Sequence, residues 1–279
     1  MGKIICITGA SSGIGQASAL KFAREGWIVY AGTRNPARDQ EQYRGESNLH
    51  FVELEVTKPE SVQAVIERID QEQGQLDVLF ANAGFGYLRA LGQAPLEDIQ
   101  KVFDTNVYGV MHTIRSALPL LRRTGYGHIV ATSSVGGLVG QPMNEIYCAS
   151  KFAVEGLLES LATYYKPQFN IDVTLLEPGA IATEFNKTVL GHVADTGGIL
   201  EDEYKPVLDA YTATFLQRNV VPQTAASVAD VMWDLVHMET KPLRIRTSEQ
   251  AEAFVSRKIS TDPTGLEGVL NTRKTLLNL

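Results

Sequence analysis

A tyrosine and a lysine in the second half of the chain have the types and spacing needed to move a proton. Tyr147 and Lys151 lie four residues apart in the segment Y-C-A-S-K, so a helix places both on one face. A phenol has an ordinary pKa of about 10, and a neighbouring ammonium lowers that pKa by favouring the phenolate. Ser134 precedes Tyr147 by 13 residues and offers a hydroxyl to the same substrate oxygen. The three residues suit alcohol oxidation or carbonyl reduction, with Tyr147 as general acid or base.

A glycine cluster near the N-terminus predicts a phosphate-binding loop. Residues 8–15 read T-G-A-S-S-G-I-G, directly after a predicted strand and at the start of a predicted helix. The first N–H groups of a helix lack partners and lie at the positive end of its dipole, so they attract phosphate. Gly9, Gly13 and Gly15 would let the backbone turn tightly and approach a pyrophosphate. The alternative is a glycine-rich turn without a ligand.

The end of the second predicted strand bears on the choice of coenzyme. NAD sites commonly place a carboxylate about 20 residues beyond the glycines, where it binds the ribose 2′-hydroxyl. This chain has Thr33 and Arg34 in that region. A guanidinium pairs with a 2′-phosphate that a carboxylate would repel, so NADP(H) is favoured over NAD(H). The alternative is that Arg34 is only a solvated loop residue.

These candidate residues are spaced along an alternation of apolar strands and amphipathic helices. Short, nearly continuous apolar runs are typical of a parallel sheet that is covered on both faces. The alternation predicts an α/β fold, with one doubly wound domain whose mostly parallel, seven-stranded sheet is flanked by helices. Strands are expected at 3–8, 27–33, 49–56, 77–81, 128–132 and 171–177, and helices at 14–24, 59–73, 95–105, 107–123 and 146–165.

The regular alternation ends after residue 183. Residues 185–203 are rich in glycine and polar side chains and are expected to be irregular. No linker or repeat marks a domain boundary, so residues 1–279 are interpreted as one domain and 185–220 as an excursion that covers the substrate. Later helices are expected at 204–217 and 225–237, and an edge strand at 243–247.

Composition limits the class of protein. The 279 residues are 44% hydrophobic and 20% charged, as in an ordinary globular domain with a large core. The formal net charge of -7 argues against a nucleic-acid-binding surface, and no apolar run is long enough to span a membrane. The only cysteines, Cys6 and Cys148, exclude a disulfide framework and favour a reducing cytoplasm. The five histidines show no metal-ligand spacing, so no metal is expected.

The combination of motifs resembles the short-chain dehydrogenase/reductase family. The resemblance implies a Rossmann-type fold and an NAD(P)-dependent enzyme that interconverts a small-molecule alcohol and its ketone or aldehyde. It gives catalytic roles to Ser134, Tyr147 and Lys151, and to Asn106 in T-N-V-Y-G, which would hold a water of the proton relay. Ser133 is the competing choice for the serine, but the 13-residue separation from Tyr147 favours Ser134.

The same resemblance, which covers residues 3–185, implies a set of cofactor contacts. They come from the glycine loop, the N-A-G motif after the fourth strand and the P-G segment that seats nicotinamide. Glu55 and Val56 stand where an aspartate commonly contacts adenine, and a glutamate can accept the same hydrogen bond. The expected cofactor-binding residues are Thr8, Gly9, Ser11, Ser12, Gly13, Ile14, Gly15, Thr33, Arg34, Glu55, Val56, Asn82, Ala83, Gly84, Asn106, Tyr147, Lys151, Pro178, Gly179, Ile181 and Thr183.

A finer resemblance is to the branch that holds 17β-hydroxysteroid and retinol dehydrogenases. The segment S-V-G-G-L-V-G-Q-P-M-N-E-I-Y-C-A-S-K carries it. It implies an apolar, steroid- or retinoid-like substrate that contacts Ser134 and Tyr147, with Met143 and Phe185 lining the pocket. The family usually forms homodimers or homotetramers through two long helices, which in this chain are the predicted helices 107–123 and 146–165.

Two other functions are compatible with the glycine loop. One is an NAD-preferring dehydrogenase of the same family. The other is a non-catalytic protein that senses a dinucleotide, although such a protein would be expected to lose the proton-transfer residues that are intact here.

Overall fold

A parallel sheet lies at the centre of the chain, whose computed structural model describes residues 2–217, 221–261, 274 and 275. Seven strands make this sheet, and two short strands pair separately. In chain order the strands are β1 (Ile4–Ile7), β2 (Ile28–Thr33), β3 (Leu49–Glu53), β4 (Val78–Ala81), β5 (Gly127–Thr132), β6 (Ile171–Glu177), β7 (Ile181–Ala182), β8 (Gln223–Thr224) and β9 (Arg244–Arg246).

Helices cover both faces of the sheet. A π-helical turn, Asp104–Tyr108, separates two of them, and single 3-10 turns occur at Leu91–Gln93 and Val135–Gly137. The helices are α1 (Gly13–Arg24), α2 (Pro36–Gln42), α3 (Pro59–Gln73), α4 (Leu96–Phe103), α5 (Gly109–Thr124), α6 (Glu145–Phe169), α7 (Phe185–Asp195), α8 (Lys205–Gln217), α9 (Ala225–His237) and α10 (Glu249–Thr261).

The strand order is that of a doubly wound sheet. The main sheet runs β3-β2-β1-β4-β5-β6-β9, and all its neighbouring strands are parallel. The chain therefore winds outward from β1 in one direction and then from β4 in the other. The predicted seven-stranded, doubly wound fold is confirmed. The switch between β1 and β4 opens a crevice at the carboxyl ends of these strands.

Alternate residues of the central strand β1 enter opposite halves of the core. Ile4 and Cys6 belong to the cluster that α3, α5 and α6 cover, whereas Ile5 and Ile7 belong to the cluster that α1 and α9 cover. Successive side chains of a strand point to opposite faces of its sheet. Because both faces are buried, the strand is apolar at every position.

The sequence prediction missed α2, which follows β2. This helix is short and polar, so its apolar periodicity is weak. Its start is nevertheless signalled by Asn35 and Pro36, since the Asn35 side chain accepts a hydrogen bond from the N–H of Arg38 at 3.2 Å and proline is favoured in the first turn. This helix places Asp39 beside the end of β2.

The expectation of an irregular stretch at 185–203 is wrong for its first half, which forms α7. Val189 and Val193 lie four residues apart on the inner face of this helix, where Val189 contacts Gly86 and Val193 is buried. Gly191 lowers the intrinsic helix propensity of the segment, and tertiary packing of this apolar face overrides it.

Candidate active site

The predicted site residues come together because the strands that precede them are parallel. Thr8 follows β1, Asn82 follows β4, Ser134 follows β5 and Pro178 follows β6. The carboxyl ends of parallel strands meet at one edge of a sheet, so these loops border a single crevice. The first turns of α6 run past the same edge and add Tyr147 and Lys151.

The glycine loop has no side chain at the points where its backbone closely approaches the chain that follows β4. Gly9 has a φ of +66°, and a Cβ at this residue would lie 2.8 Å from the Cα of Ala83. A Cβ on Gly15 would lie 2.5 Å from Nδ2 of Asn82. Ser12, at the N-cap of α1, makes no capping hydrogen bond, so the first N–H groups of the helix lack a side-chain partner. This arrangement fits a dinucleotide pyrophosphate.

Two polar side chains hold the glycine loop in place. The Thr8 hydroxyl accepts hydrogen bonds from the N–H groups of Asn82 and Ala83, both at 3.0 Å. The Asn82 amide donates to the carbonyls of Thr8 at 3.1 Å and Gly9 at 3.3 Å, and its oxygen accepts from Thr132 at 3.0 Å. The Asn82 side chain thus joins β1, β4 and β5.

At the end of β2, Thr33 and Arg34 have different surroundings. The Thr33 hydroxyl donates to Asp39 at 2.6 Å, and this carboxylate, only 1% exposed, also accepts from Arg38 at 2.7 Å. Arg34 is exposed, and it pairs with no carboxylate in the part of the chain that the structure describes. Its guanidinium is therefore available to an anion. The sequence prediction missed Asp39 because it missed α2.

The two candidate serines lie in different surroundings. The Ser134 oxygen accepts a hydrogen bond from the N–H of Gly136 at 3.0 Å, and a Cβ on Gly136 would lie 3.4 Å both from this oxygen and from Cε1 of Tyr147. Ser133 instead lies near Glu155, and its buried hydroxyl has no hydrogen-bond partner among the described residues. Ser134 is therefore the serine that adjoins Tyr147.

The pKa of Tyr147 differs from the sequence expectation. Burial raises the pKa of this phenol to about 12, although a hydrogen bond with Ser134 partly lowers it. The Lys151 Nζ lies 5.9 Å from the ring centroid of Tyr147. This direction is opposite to the lowered pKa expected from the sequence, because burial removes water from around the phenol. Tyr147 consequently carries its proton at neutral pH.

Lys151 is buried beside the backbone of β5. Its Nζ donates to the Thr132 carbonyl at 2.8 Å. Burial lowers the pKa of Lys151 to about 8, while the charge of Glu155 raises it in part, so the ammonium form predominates at pH 7. A Cβ on Gly84 would lie 3.4 Å from Nζ, which means that the glycine of the N-A-G motif adjoins this ammonium.

Asn106 joins the chain after β4 to α6. It is buried in the π-helical turn between α4 and α5, a feature that is frequent at functional sites. Its amide donates to the Phe85 carbonyl at 3.0 Å and the Ser150 hydroxyl at 3.1 Å, and its oxygen accepts from the Phe85 N–H at 3.0 Å. Ser150 in turn donates to the carbonyl of Tyr147 at 2.7 Å. The expected water-holding role of Asn106 stays a prediction.

The two predicted substrate contacts lie in different surroundings. The ring of Phe185 lies edge-on to Tyr147, with 5.8 Å between centroids, and its side chain is 38% exposed. Met143 is buried and packs in a separate apolar cluster with Ala90 and Leu208. Phe185 is therefore brought to Tyr147, whereas Met143 supports α8.

The remaining predicted cofactor residues follow strand ends at the same edge. Thr183 lies over the glycine loop, since its Cγ2 would be 3.4 Å from a Cβ on Gly13. The Pro178 carbonyl accepts a hydrogen bond from the Val135 N–H at 3.1 Å, which fixes the chain after β6. Ser11 and Ile14 flank the start of α1, Glu55 and Val56 follow β3, and Gly179 and Ile181 follow β6.

Arg89 is a buried residue at the end of α7 that the sequence patterns did not reveal. Only 4% exposed, its guanidinium donates to the carbonyls of Val193 and Thr196, both at 3.1 Å, and to the Gly198 carbonyl and the Thr196 hydroxyl, both at 2.8 Å. A cation at the carboxyl end of α7 matches the negative end of the helix dipole. The one available signal was a basic residue inside the apolar run Y-L-R-A-L.

Two other kinds of site are absent from the described ranges. These ranges contain no group of three or more His, Cys, Asp and Glu side chains that could hold a metal ion. None of their helices combines the length and apolar character needed to cross a membrane.

Comparison with known proteins gives relatives that match most of the chain. A family model described as short chain dehydrogenase matches residues 3–193. Retinol dehydrogenase 8 of Bos taurus is 36% identical over 274 residues, which cover 94% of this chain and 86% of that protein. The 17-beta-hydroxysteroid dehydrogenase type 1 of Homo sapiens is 39% identical over 198 residues, covering 67% of this chain and 60% of that protein.

Solved structures with similar folds hold either coenzyme. A short chain dehydrogenase/reductase from Burkholderia phymatum in complex with NAD has a TM-score of 0.79 and 26% identity, over 95% of this chain and 94% of that one. ElxO with NADP bound has a TM-score of 0.72 and 27% identity, over 88% of this chain and 98% of that one.

Proposed function

We propose, from the premise that this chain belongs to the short-chain dehydrogenase family, that it interconverts an apolar alcohol and its ketone or aldehyde with NADP(H). The family makes it an NAD(P)-dependent oxidoreductase that acts on CH–OH groups. The observation that carries the proposal is the grouping of Ser134, Tyr147 and Lys151 at the edge of the sheet that also holds the glycine loop. A nicotinamide coenzyme held at the glycine loop would supply or accept the hydride, and the chain's own residues would act on the substrate oxygen.

Tyr147 and Ser134 would bind that oxygen. The Gly136 N–H occupies an acceptor site of the Ser134 oxygen, and the Ser134 O–H, which bonds Tyr147 in the absence of substrate, would donate to the substrate oxygen when substrate binds. The raised pKa of Tyr147 keeps its proton in place until negative charge develops on the substrate oxygen. An alkoxide is more basic than a phenolate, so the proton then moves from Tyr147 to the product.

Lys151 and Asn106 would support this proton transfer. The Thr132 carbonyl holds the Lys151 ammonium on the same face of α6 as Tyr147, where its charge stabilises the phenolate that remains after transfer. We assign Asn106 the role of holding a water that links Lys151 to bulk solvent. Its side-chain hydrogen bonds to Phe85 and Ser150 fix this part of the chain against α6.

The proton-transfer role is tested by Tyr147→Phe, which removes the phenol oxygen and keeps the ring. We expect kcat on an accepted ketone to fall by about a hundredfold to ten-thousandfold, the usual contribution of a general acid. NADPH binding, followed by its fluorescence, should fall far less than kcat. Tyr126→Phe is the matched control, because Tyr126 precedes β5 at the opposite end of the strand. Near-normal turnover by Tyr147→Phe would overturn the mechanism.

The preference for NADP(H) rests on Arg34, whose exposed guanidinium pairs with no carboxylate in the described ranges. Arg34→Glu should weaken NADPH far more than NADH, because a carboxylate repels the 2′-phosphate that only NADPH carries. Binding of each coenzyme is measured by fluorescence titration, with Arg24→Glu, on the far end of α1, as control. Equal losses for both coenzymes, or tighter binding of NADH by the wild type, would favour the NAD-preferring alternative.

An apolar substrate is supported by the relatives and by the wall of the cleft. The relatives include proteins named for retinol and for 17-beta-hydroxysteroids, and Phe185 places an aromatic ring beside Tyr147. We propose steroid- or retinoid-like alcohols and carbonyls as the substrate class. NADPH consumption with retinal, apolar aldehydes and steroid ketones tests it, and turnover of hydrophilic sugars alone would contradict it.

We also propose a homodimer or homotetramer in a reducing cytoplasm. Large apolar side chains are exposed along α5 and α6, among them Met111, Phe152 and Tyr164, and their burial between two copies of the chain would stabilise an assembly. Both cysteines are buried and unpaired, as suits a reducing compartment. Phe152→Glu should lower the mass measured by light scattering to that of a smaller assembly, whereas an unchanged mass would contradict the proposed interface.

A further inference from the structure

A cavity of about 230 Å³ lies between α4 and α7, over the chain that follows β4. Phe85 and Gly86 contribute its apolar side. Its polar side is formed by Tyr87, Asp98, Lys101, Thr188 and His192. None of these five residues takes part in the proton transfer proposed above.

Two buried polar atoms at this cavity lack a hydrogen bond within the described part of the chain. They are the hydroxyl of Tyr87, a residue that is only 1% exposed, and Nε2 of His192. Nε2 lies 3.3 Å from Oδ2 of Asp98, but the two atoms do not meet the geometry of a hydrogen bond. Most buried polar groups in proteins are hydrogen-bonded, and an unpaired one is costly. The cavity therefore offers both a donor and an acceptor to a ligand.

The charges around the cavity select the kind of ligand. Asp98 is buried, and its Oδ1 accepts a hydrogen bond from Lys101 at 3.0 Å. An anionic ligand would be repelled by this carboxylate, and a cationic ligand would compete with Lys101 for it. A neutral hydroxyl can donate to Asp98 and accept from Tyr87 or His192 at the same time. A hydroxyl group is thus the best match.

The cavity is next to the proposed catalytic residues. Gly86 lines it, and a Cβ on Gly86 would lie 2.5 Å from Cζ of Phe185. The ring of Phe185 also lies edge-on to the ring of Tyr147, with 5.8 Å between the two centroids. The Phe185 side chain therefore lies between the cavity and the place where the reacting carbonyl would bind.

We propose that this cavity binds a hydroxyl group at the far end of the substrate. The inference rests on the proposed function and narrows it, since the favoured substrates would be apolar ketones or alcohols that carry a second, distant hydroxyl. Tyr87 and His192 would act in specificity, because they touch the substrate away from the reacting atoms. Their contribution belongs to binding, so it should appear mainly in KM and little in kcat.

The test is a series of straight-chain ketones of increasing length, each assayed with and without a terminal hydroxyl. For each length, the ratio of kcat/KM for the hydroxylated ketone to that for its unsubstituted partner is measured by NADPH consumption. In the wild type this ratio should rise at the lengths that reach the cavity. Tyr87→Phe and His192→Phe should each lower this ratio by about fivefold to tenfold, which is the effect of one buried hydrogen bond. The change should appear in KM and not in kcat.

Tyr126→Phe, outside the cavity, is the matched control and should leave the ratio unchanged. Ratios that are the same in the wild type and in Tyr87→Phe at every length would overturn the inference, while turnover of the ketones would still support the proposed function. Turnover of neither ketone at any length would overturn both. Loss of activity on the unsubstituted ketones in Tyr87→Phe would also count against the inference, since it predicts an effect confined to hydroxylated substrates.

Discussion

The two sides of the cleft are held together in different ways. On the cofactor side, formed by the glycine loop and the ends of β1, β4 and β5, backbone segments touch directly where Gly9 and Gly15 leave no room for a side chain. The substrate side is formed by α7, α8 and the chain that connects them. Side chains from outside this segment hold the connecting chain in place through hydrogen bonds. Arg89 donates to the end of α7, and Gln93 donates to Asp202 at 2.8 and 3.0 Å.

This difference predicts which side tolerates substitution. Backbone packing at the cofactor side leaves no space for an added methyl group, and protein interiors adapt poorly to overpacking. The substrate side depends on a few side chains that reach carbonyls and a carboxylate, so single substitutions can loosen it without moving the sheet. A dinucleotide needs a fixed binding shape, whereas a segment that covers a substrate, as expected here for residues 185–220, needs to open and close.

The largest effect is expected from Gly15→Ala, which adds a methyl group on the rigid side. Its Cβ would lie 2.5 Å from the Asn82 amide and also meet the Gly9 carbonyl. We expect coenzyme affinity to fall by more than about a hundredfold, because the loop must move away from its phosphate-binding shape. Titration with NADPH measures the loss. Gly45→Ala, where an added Cβ meets nothing within 4 Å, is the control and should bind normally.

The second prediction concerns Lys151, whose pKa burial lowers from 10.5 to about 8. Between these values the unfolded chain binds a proton that the folded chain has released, so folding becomes more favourable as pH rises. The free energy of unfolding of the wild type, relative to Lys151→Met, should increase by about 3 kcal/mol from pH 8 to pH 10.5. Urea unfolding at several pH values measures it, and a constant difference would contradict it.

Lys205, on the substrate side, should show the opposite dependence of folding stability on pH. Its hydrogen bond with Asp209 raises the pKa of this exposed lysine. The stability that Lys205 contributes is therefore present below its ordinary pKa and is lost as pH rises through the folded-state value. Relative to Lys205→Met, the wild type should lose a little stability as the pH rises above 10.5, the ordinary pKa of lysine.

The third prediction concerns Arg89→Met, which removes the guanidinium from the end of α7. The carbonyls of Val193, Thr196 and Gly198 lose their donor, so the end of α7 should leave this position more often. KM for the ketone should rise by about tenfold, while NADPH affinity stays unchanged and limited proteolysis after α7 becomes faster. Arg123→Met, which removes only a surface ion pair with Asp70, should change neither. A loss of NADPH affinity equal to the change in KM would contradict the proposed difference between the two sides.

The smallest effect is expected from Asn35→Ala, which removes the cap of α2. The Asn35 side chain accepts a hydrogen bond from the Arg38 N–H, and loss of such a cap destabilises a protein by about 1 kcal/mol. Urea unfolding measures the change. NADPH affinity should fall slightly as well, because α2 positions Asp39 beneath Thr33. An unchanged unfolding midpoint would mean that α2 is held by tertiary contacts instead.

Much of the fold could be predicted because its signals are local. Apolar runs such as 4–7 and 78–81 mark strands that are buried on both faces, and glycines mark loops. The common face of Tyr147 and Lys151 follows from helix geometry alone. In contrast, α7 was missed because Gly191 weakens its helix pattern, and its stability comes from packing against Gly86 and from Arg89.

The sequence by itself determined the doubly wound sheet, the family and the pairing of Tyr147 with Lys151, because periodicity and motif spacing are properties of neighbouring residues. Only the tertiary structure decided the direction of the Tyr147 pKa shift and the burial of Asp39 and Arg89. Each of these depends on how much water and which atoms surround a side chain. Those surroundings come from segments far apart in the chain, so no local pattern records them.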